Sequence, residues 1–296
     1  MNENPSLITR FEEERPRLRA VAYRMLGSLS EADDAVQEAW IRLNRSDVAE
    51  VENLAAWLTT VVTRLCLNML RSRDSRREDP LESYVPDPAG GAGEAVDPEE
   101  EALLADSVGV AMLVVLDTLA PPERLAFVLH DMFQVPFDEI GPMLERTPAA
   151  VRQLASRARR RVKGGTPVPA PDLARQHKVV EAFLAATRGG DFEALVALLH
   201  PDVVLHADRM VVPSAEPILV GGAETVARGA MAATGRARFT GLALLDGAVG
   251  LAMAPQGRLR LVLAFTVGED GLIAKIDVVA EREALGGVQI GVAETA

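Results

Sequence analysis

The chain has 296 residues, 48% of them hydrophobic and 25% charged, with a formal net charge of −12. That length favours two or more domains over a single core, and the balance of apolar and charged side chains is that of an ordinary soluble protein. An aromatic content of 4% argues against a face built to stack the bases of a single strand, and the single cysteine, Cys66, rules out an intramolecular disulfide and any cysteine-based metal motif.

The first stretch, MNENPSLITRFEEERPR, has no apolar core of the kind a signal peptide carries. No apolar run is long enough to span a bilayer. A cytoplasmic location without membrane contact is therefore expected, and no metal or other cofactor is implied.

Residues 5–77 read as helical. In SEADDAVQEAWIRL, Ser30 is the expected N-cap and Asp33 closes a capping box. Val36, Ala39, Trp40 and Leu43 then form one apolar face, with Asp34 and Glu38 turned away from it. In NLAAWLTTVVTRLCLNMLRSR the periodicity puts Trp57, Leu58, Val61, Leu65 and Met69 on the inner side. Thr60, Thr63, Arg64, Asn68 and Arg71 fall on the other side.

Residues 78–100, rich in Pro, Gly and acid, read as a linker. Helix is expected again over 99–119. It is followed by APPERLAFVLHDMF, whose prolines sit where a helix start tolerates them.

Next come PFDEIGPMLE, a short turn, and TPAAVRQLASRARRRVK at 147–163. Thr147 followed by Pro148 is a good helix start. Val151, Leu154, Ala155, Ala158 and Val162 share one face. Gln153, Ser156 and Arg160 lie opposite, flanked by Arg152, Arg157, Arg159 and Lys163.

This basic segment contains no acidic residue, within a chain that is acidic overall. The spacing is that of a helix-turn-helix, which lays its second helix in the major groove. Arg and Gln near the start of that helix suit bidentate bonds to guanine and adenine. Arg159, Arg160 and Arg161, further along, suit phosphates.

GGTPVPAP opens a second linker, 164–172. Beyond it, over 173–288, two short helices, a strand PDVVLHAD, a helix GAETVARGAMAAT and three more strand segments suggest an α+β domain. His206 and Asp208, two apart on a strand, share a face and could serve as an acid–base pair. The tail from Leu285 is expected to lack fixed structure.

LAPPERLAFVLHDMFQVPFDEIGPMLERTPAAVRQLASRARRR resembles region 4 of the sigma-70 superfamily in its extracytoplasmic-function form. YRMLGSLSEADDAVQEAWIRL and AAWLTTVVTRLCLNMLRSR resemble parts of region 2. The run GDFEALVALLHPDV resembles the start of a SnoaL-like domain, a cone-shaped α+β fold, and the combination resembles a subgroup with a C-terminal SnoaL-like extension.

The fold so implied is multidomain: an all-α region 2 bundle at 5–77, an all-α region 4 helix-turn-helix at 101–163, and an α+β SnoaL-like cone at 173–288. The resemblance implies that Asp34, Gln37 and Glu38 dock on core RNA polymerase. Its β′ clamp and β flap are the implied partners.

Thr60, Arg64, Asn68 and Arg71 would act on the promoter −10 element. Thr147, Ala149, Arg152, Gln153, Ser156, Arg157, Arg159 and Arg160 would read and hold the −35 element. The SnoaL-like domain, with His206 and Asp208 at its cavity, would contact the sigma core and modulate it. The protein is then a transcription initiation factor and not an enzyme. The alternative is a SnoaL-like enzyme or small-molecule sensor with an N-terminal docking module.

Overall fold

The computed structural model describes residues 5–46, 53–75, 109–163, 170–211 and 216–292. The expected linker at 78–100, residues 164–169 of the second linker and the end of the tail at 293–296 lie outside them. The chain forms two compact units. Residues 1–79 and 116–160 make the first, and residues 80–115 and 161–296 the second.

The first unit begins with α1 (Pro5–Leu26), α2 (Leu29–Arg45) and α3 (Leu54–Ser75). Phe11, Leu18, Val21, Ala22 and Met25 recur at helical spacing along α1 and are all buried. They meet Ala32, Val36, Ala39 and Leu43 of α2 and Leu58, Val62 and Cys66 of α3. Phe11 also packs its ring 4.8 Å from that of Trp40.

The N-cap of α2 is Ser28, not Ser30. Leu29 is buried, so the apolar stripe starts a residue earlier and draws the helix start with it. No capping box forms, because Asp33 is taken by Arg19, which donates from Nε at 2.6 Å and from Nη2 at 3.1 Å.

The inner face of α3 is also rotated from the expected one. Thr63 is fully buried, whereas Trp57, Val61 and Met69 are only half-buried. Thr60, Arg64, Asn68 and Arg71 remain on the outer side.

Of the helix expected over 99–119, residues 99–108 lie outside the described residues; Gly109 takes a φ of +81°, which favours glycine. Helix α4 (Val110–Thr118) starts after it. Then follow α5 (Pro121–Phe127), continued by one π turn at Val128–Met132, α6 (Phe137–Leu144) and α7 (Pro148–Val162).

Two arginines serve the last carbonyls of α1, where cationic side chains are favoured. Arg73 Nη1 donates to the Leu26 carbonyl at 3.0 Å. Arg124, 4% exposed, donates from Nη1 to the Met25 carbonyl at 2.8 Å and from Nη2 to Asp117 at 3.1 Å.

The second unit holds α8 (Ala170–Gly189), α9 (Phe192–Leu198), β1 (Leu199–Ala207), β2 (Ile218–Gly221), α10 (Ala223–Ala232) and α11 (Thr234–Ala237). After these come β3 (Thr240–Leu245), β4 (Ala248–Met253), β5 (Leu261–Val267), β6 (Ile273–Val279), α12 (Arg282–Gly287) and β7 (Ile290–Gly291). The sheet order is β2-β1-β6-β5-β4-β3-β7, with β1 and β6 parallel and the other pairs antiparallel. Asp246 and Gly247 take φ of 51° and 89° and close the β3–β4 hairpin, as an Asp-Gly pair is suited to do.

One sheet face packs on Val180, Phe183 and Leu184 of α8 and on Val226 and Ala227 of α10. The other face is covered by Ala111 of α4 and by the C-terminal Leu285, Val288, Ile290 and Val292. The tail is thus ordered as far as Val292, because its apolar side chains close this second layer.

Candidate nucleic-acid interface

Helix α7 is built as a two-sided element. Val151, Ala155 and Ala158 are fully buried, and Leu154 and Val162 are half-buried. Thr147, Ala149, Arg152, Gln153, Ser156, Arg157 and Arg160 are exposed. Thr147 caps the helix as its sequence suggests, accepting at Oγ1 from the Ala150 N–H at 3.3 Å. The preceding turn is made by Glu145, which ends α6 in the left-handed conformation with φ 56°.

Two residues shape this front that periodicity did not single out. Phe137 of α6 places its ring 5.2 Å from the Arg152 guanidinium, a cation–π distance that limits where the arginine can go. Asp131 binds Arg159, which donates from Nε at 2.6 Å. Arg159 is therefore already paired, whereas Arg157 and Arg160 make no ion pair among the described residues. An acid two residues before Phe133 gave no periodic signal toward α7, which is why the pairing was not legible.

On α3, Arg64, Asn68 and Arg71 are exposed and Thr60 is half-buried, donating its hydroxyl to the Ala56 carbonyl at 2.9 Å. Their spacing of four, four and three residues makes one stripe. Arg64, Asn68 and Arg71, with Leu67, also line a depression of about 170 Å³ closed by Met143, Leu144 and Glu145 at the end of α6. On α2, Asp34 and Gln37 are exposed, and Glu38 accepts from Arg42 Nε at 2.9 Å.

The second unit has a cavity of about 280 Å³ between α8, α10, α11 and the sheet. Leu205 and Ala207 of β1 line it, as do Ile276 and Val278, their partners on β6. His206 and Asp208, expected at this cavity, do not line it. Strand alternation puts them on the other face, in a separate depression with Asp277 and Leu219.

There His206 lies 3.5 Å from Asp277, which also binds Lys275 at 2.9 Å. Asp208 is occupied in tying the end of β1 to the end of β6. Its Oδ2 accepts from the N–H groups of Ala280 and Glu281 at 2.6 and 2.8 Å. Among the described lining residues of the cavity the one ionisable side chain is Arg236. Among the described lining residues no carboxylate or imidazole faces the cavity.

The description "Sigma-70 region 2" matches residues 10–76 and "Sigma-70, region 4" matches residues 110–162. The probable ECF RNA polymerase sigma factor SigI of Mycobacterium tuberculosis is 32% identical over 226 residues, which is 76% of this chain and 76% of SigI. The chain belongs to the ECF RNA polymerase sigma factors.

ECF sigma factor SigJ of the same organism is 42% identical over 207 residues, 68% of this chain and 64% of SigJ, so the match spans just under two thirds of that relative. A crystal structure of the Mycobacterium tuberculosis extracytoplasmic function sigma factor SigJ is 33% identical, covers 95% of this chain and 98% of its own, and superposes with a TM-score of 0.46. In this sigma factor the described part of region 2 is α1 to α3, and region 4 spans α4 to α7. The family is one of transcription initiation factors, not of enzymes. No helix among the described residues is long and apolar enough to cross a membrane.

Proposed function

We propose that this sigma factor binds core RNA polymerase in the cytoplasm and directs it to promoters through two separate surfaces. The observation that carries the reading is α7, with Val151, Ala155 and Ala158 sealed against its own unit and Arg152, Gln153, Ser156 and Arg157 presented to solvent. A helix held by its back in this way can enter a major groove with its first turns against base edges. Arg152 and Gln153 read bases of the −35 element in this proposal, with Ser156 and Arg157 beside them. Thr147, Ala149 and Arg160 meet the flanking backbone. Arg159 joins them only after leaving Asp131.

The α3 stripe of Thr60, Arg64, Asn68 and Arg71 acts on the −10 element, and Asp34, Gln37 and Glu38 offer carboxylates and an amide to the β′ clamp. Region 4 contacts the β flap. Domain limits of 5–77, 101–163 and 173–288 go with this assignment, the last being a SnoaL-like domain that modulates the sigma core.

Support for modulation comes from within the second unit. Val110 and Ala111, in the first turn of α4, pack against the outer sheet face at Gly241 and Ala243. A domain that holds the first turn of α4 has a lever on region 4.

The test is run-off transcription with core polymerase on a pool of randomised promoters, using the full chain and its Arg152→Ala variant. Selected promoters are expected to share −35 and −10 elements, with the −35 preference relaxed at one or two positions in the variant. Absence of any promoter-specific transcript overturns the proposal.

A further inference from the structure

The cavity of the second unit is chemically one-sided. Its wall is made by Phe183, Leu184, Leu251, Met253, Leu263 and other apolar side chains of the sheet and helices. Four described lining residues have polar side chains: Thr187, Thr225, Arg236 and Thr240. Two of these are already spent on the main chain. Thr187 donates its hydroxyl to the Phe183 carbonyl at 2.8 Å, and Thr240 donates to the Arg236 carbonyl at 3.1 Å.

That leaves the exposed Thr225 and the half-buried Arg236 with hydrogens free to donate to a guest. Arg236 makes no ion pair or side-chain hydrogen bond among the described residues. Its neighbour Arg188 behaves differently, donating to the Ala237 carbonyl at 3.1 Å and the Thr240 carbonyl at 2.7 Å.

A cationic side chain is costly to hold half-buried on an apolar wall unless a counter-charge meets it. One guanidinium matches one carboxylate, in a bidentate geometry. A second negative charge would find no partner among these lining residues and would have to be desolvated. Apolar cavities of about 150 Å³ take up small apolar guests. At the roughly 30 Å³ that one water takes up in the liquid, a volume of about 280 Å³ has room for a guest of about nine or ten water-sized groups.

We infer that this cavity is a binding site for a small apolar monocarboxylate, with the hydrocarbon against the sheet and the carboxylate on Arg236. The inference goes beyond promoter recognition, and a binding measurement reads it whether or not any promoter responds.

The experiment is isothermal titration calorimetry on the full chain with octanoate and with octan-1-ol, which differ in charge and little in size. Octanoate is expected to bind with a stoichiometry of one and at least tenfold more tightly than octan-1-ol. Arg236→Gln is expected to bring octanoate down to the level of octan-1-ol and to leave octan-1-ol unchanged. Ala233→Phe, which fills the cavity, is expected to abolish both.

Should that variant fail to fold, a chain-length series on the unmodified protein reads the same volume, with affinity expected to stop rising beyond about ten atoms. Equal affinity for acid and alcohol overturns the inference. So does a tenfold preference that survives Arg236→Gln, or a stoichiometry that climbs with chain length as surface adsorption would.

Discussion

Arg152 and Arg160 both carry a full charge on the exposed side of α7, yet their positions ask different things of them. Arg152 stands in the first turns and is steered by the Phe137 ring, so it suits a bidentate contact with a base edge. Arg152→Ala is expected to cost about 1–3 kcal/mol of −35 binding and to relax preference at its base. Arg160→Ala should instead weaken binding evenly across sequences and reduce the salt slope by about one. Fluorescence anisotropy of holoenzyme on matched and mismatched duplexes distinguishes the two, and an unchanged preference in Arg152→Ala would contradict the placing of α7. Cys66 makes the opposite point about burial. It is fully enclosed, and burial pushes its thiol from 9.0 up to about 12. The folded chain therefore keeps the proton that the unfolded chain gives up. This contribution to stability is full below about pH 9 and declines as pH rises toward 12. At pH 8 the thiol should resist a disulfide-exchange reagent in native protein and react at once in denaturant, and rapid native labelling would show that the first unit opens readily.

At the scale of elements, one cap and one close contact are exposed to test. Thr147→Ala removes the acceptor for the Ala150 N–H and should cost about 1 kcal/mol of stability by urea unfolding. Gly241 lies where a Cβ would stand 2.8 Å from the Val110 Cβ. Gly241→Val should therefore cost about 1–3 kcal/mol and speed amide exchange over residues 110–115, and unchanged exchange there would mean the first turn of α4 is not held by β3. How legible these elements were depended on contrast along the chain. Helix α7 has apolar and basic residues in alternation sharp enough to fix its inner face, and its Thr-Pro start fixed its cap. Helix α3 is apolar or hydroxylic for most of its circumference, so periodicity could not decide that Thr63, not Trp57, faces inward. In β1, alternation correctly set His206 and Asp208 on one face, but not which face closes on a cavity. That depends on the helices that cover the sheet. The strands β2 and β7 were missed because four and two residues carry too little pattern, and each exists through its neighbour, β1 or β3.

At the scale of the whole molecule, an acidic chain with two proposed promoter-binding surfaces has to engage DNA. A net charge of −12 opposes approach to a polyanion, while the basic front of α7 attracts it locally. Free protein should therefore bind promoter duplex at least a hundredfold more weakly than holoenzyme at physiological salt, and tight binding without polymerase would refute this. Size poses a second constraint. Promoter elements about 25 base pairs apart lie roughly 85 Å apart on straight B-DNA. The first unit, residues 1–79 with 116–160, has the length of a compact body of about 14 Å radius of gyration. It carries both the α3 stripe and the α7 front, and Glu145 at the end of α6 lines the same depression as Arg64 and Arg71. With the two surfaces assigned as proposed, such a body cannot reach both elements while it stays closed, so the proposal requires α5 to α7 to separate from α1 to α3 on the promoter. Arg124 fastens the two, since its buried guanidinium bonds the Met25 carbonyl at the end of α1. Arg124→Met keeps much of the side-chain volume and loses those bonds, at an expected cost of about 1–3 kcal/mol in urea unfolding. With fluorophores on α1 and α7, the variant should show a lower transfer efficiency than the unmodified chain before DNA is added. It should also reach half-maximal run-off transcription at a lower chain concentration. Unchanged efficiency together with unchanged run-off would mean that Arg124 does not hold the closed form, and that the energy of opening resides in the apolar contacts of α3 with α5 and α6.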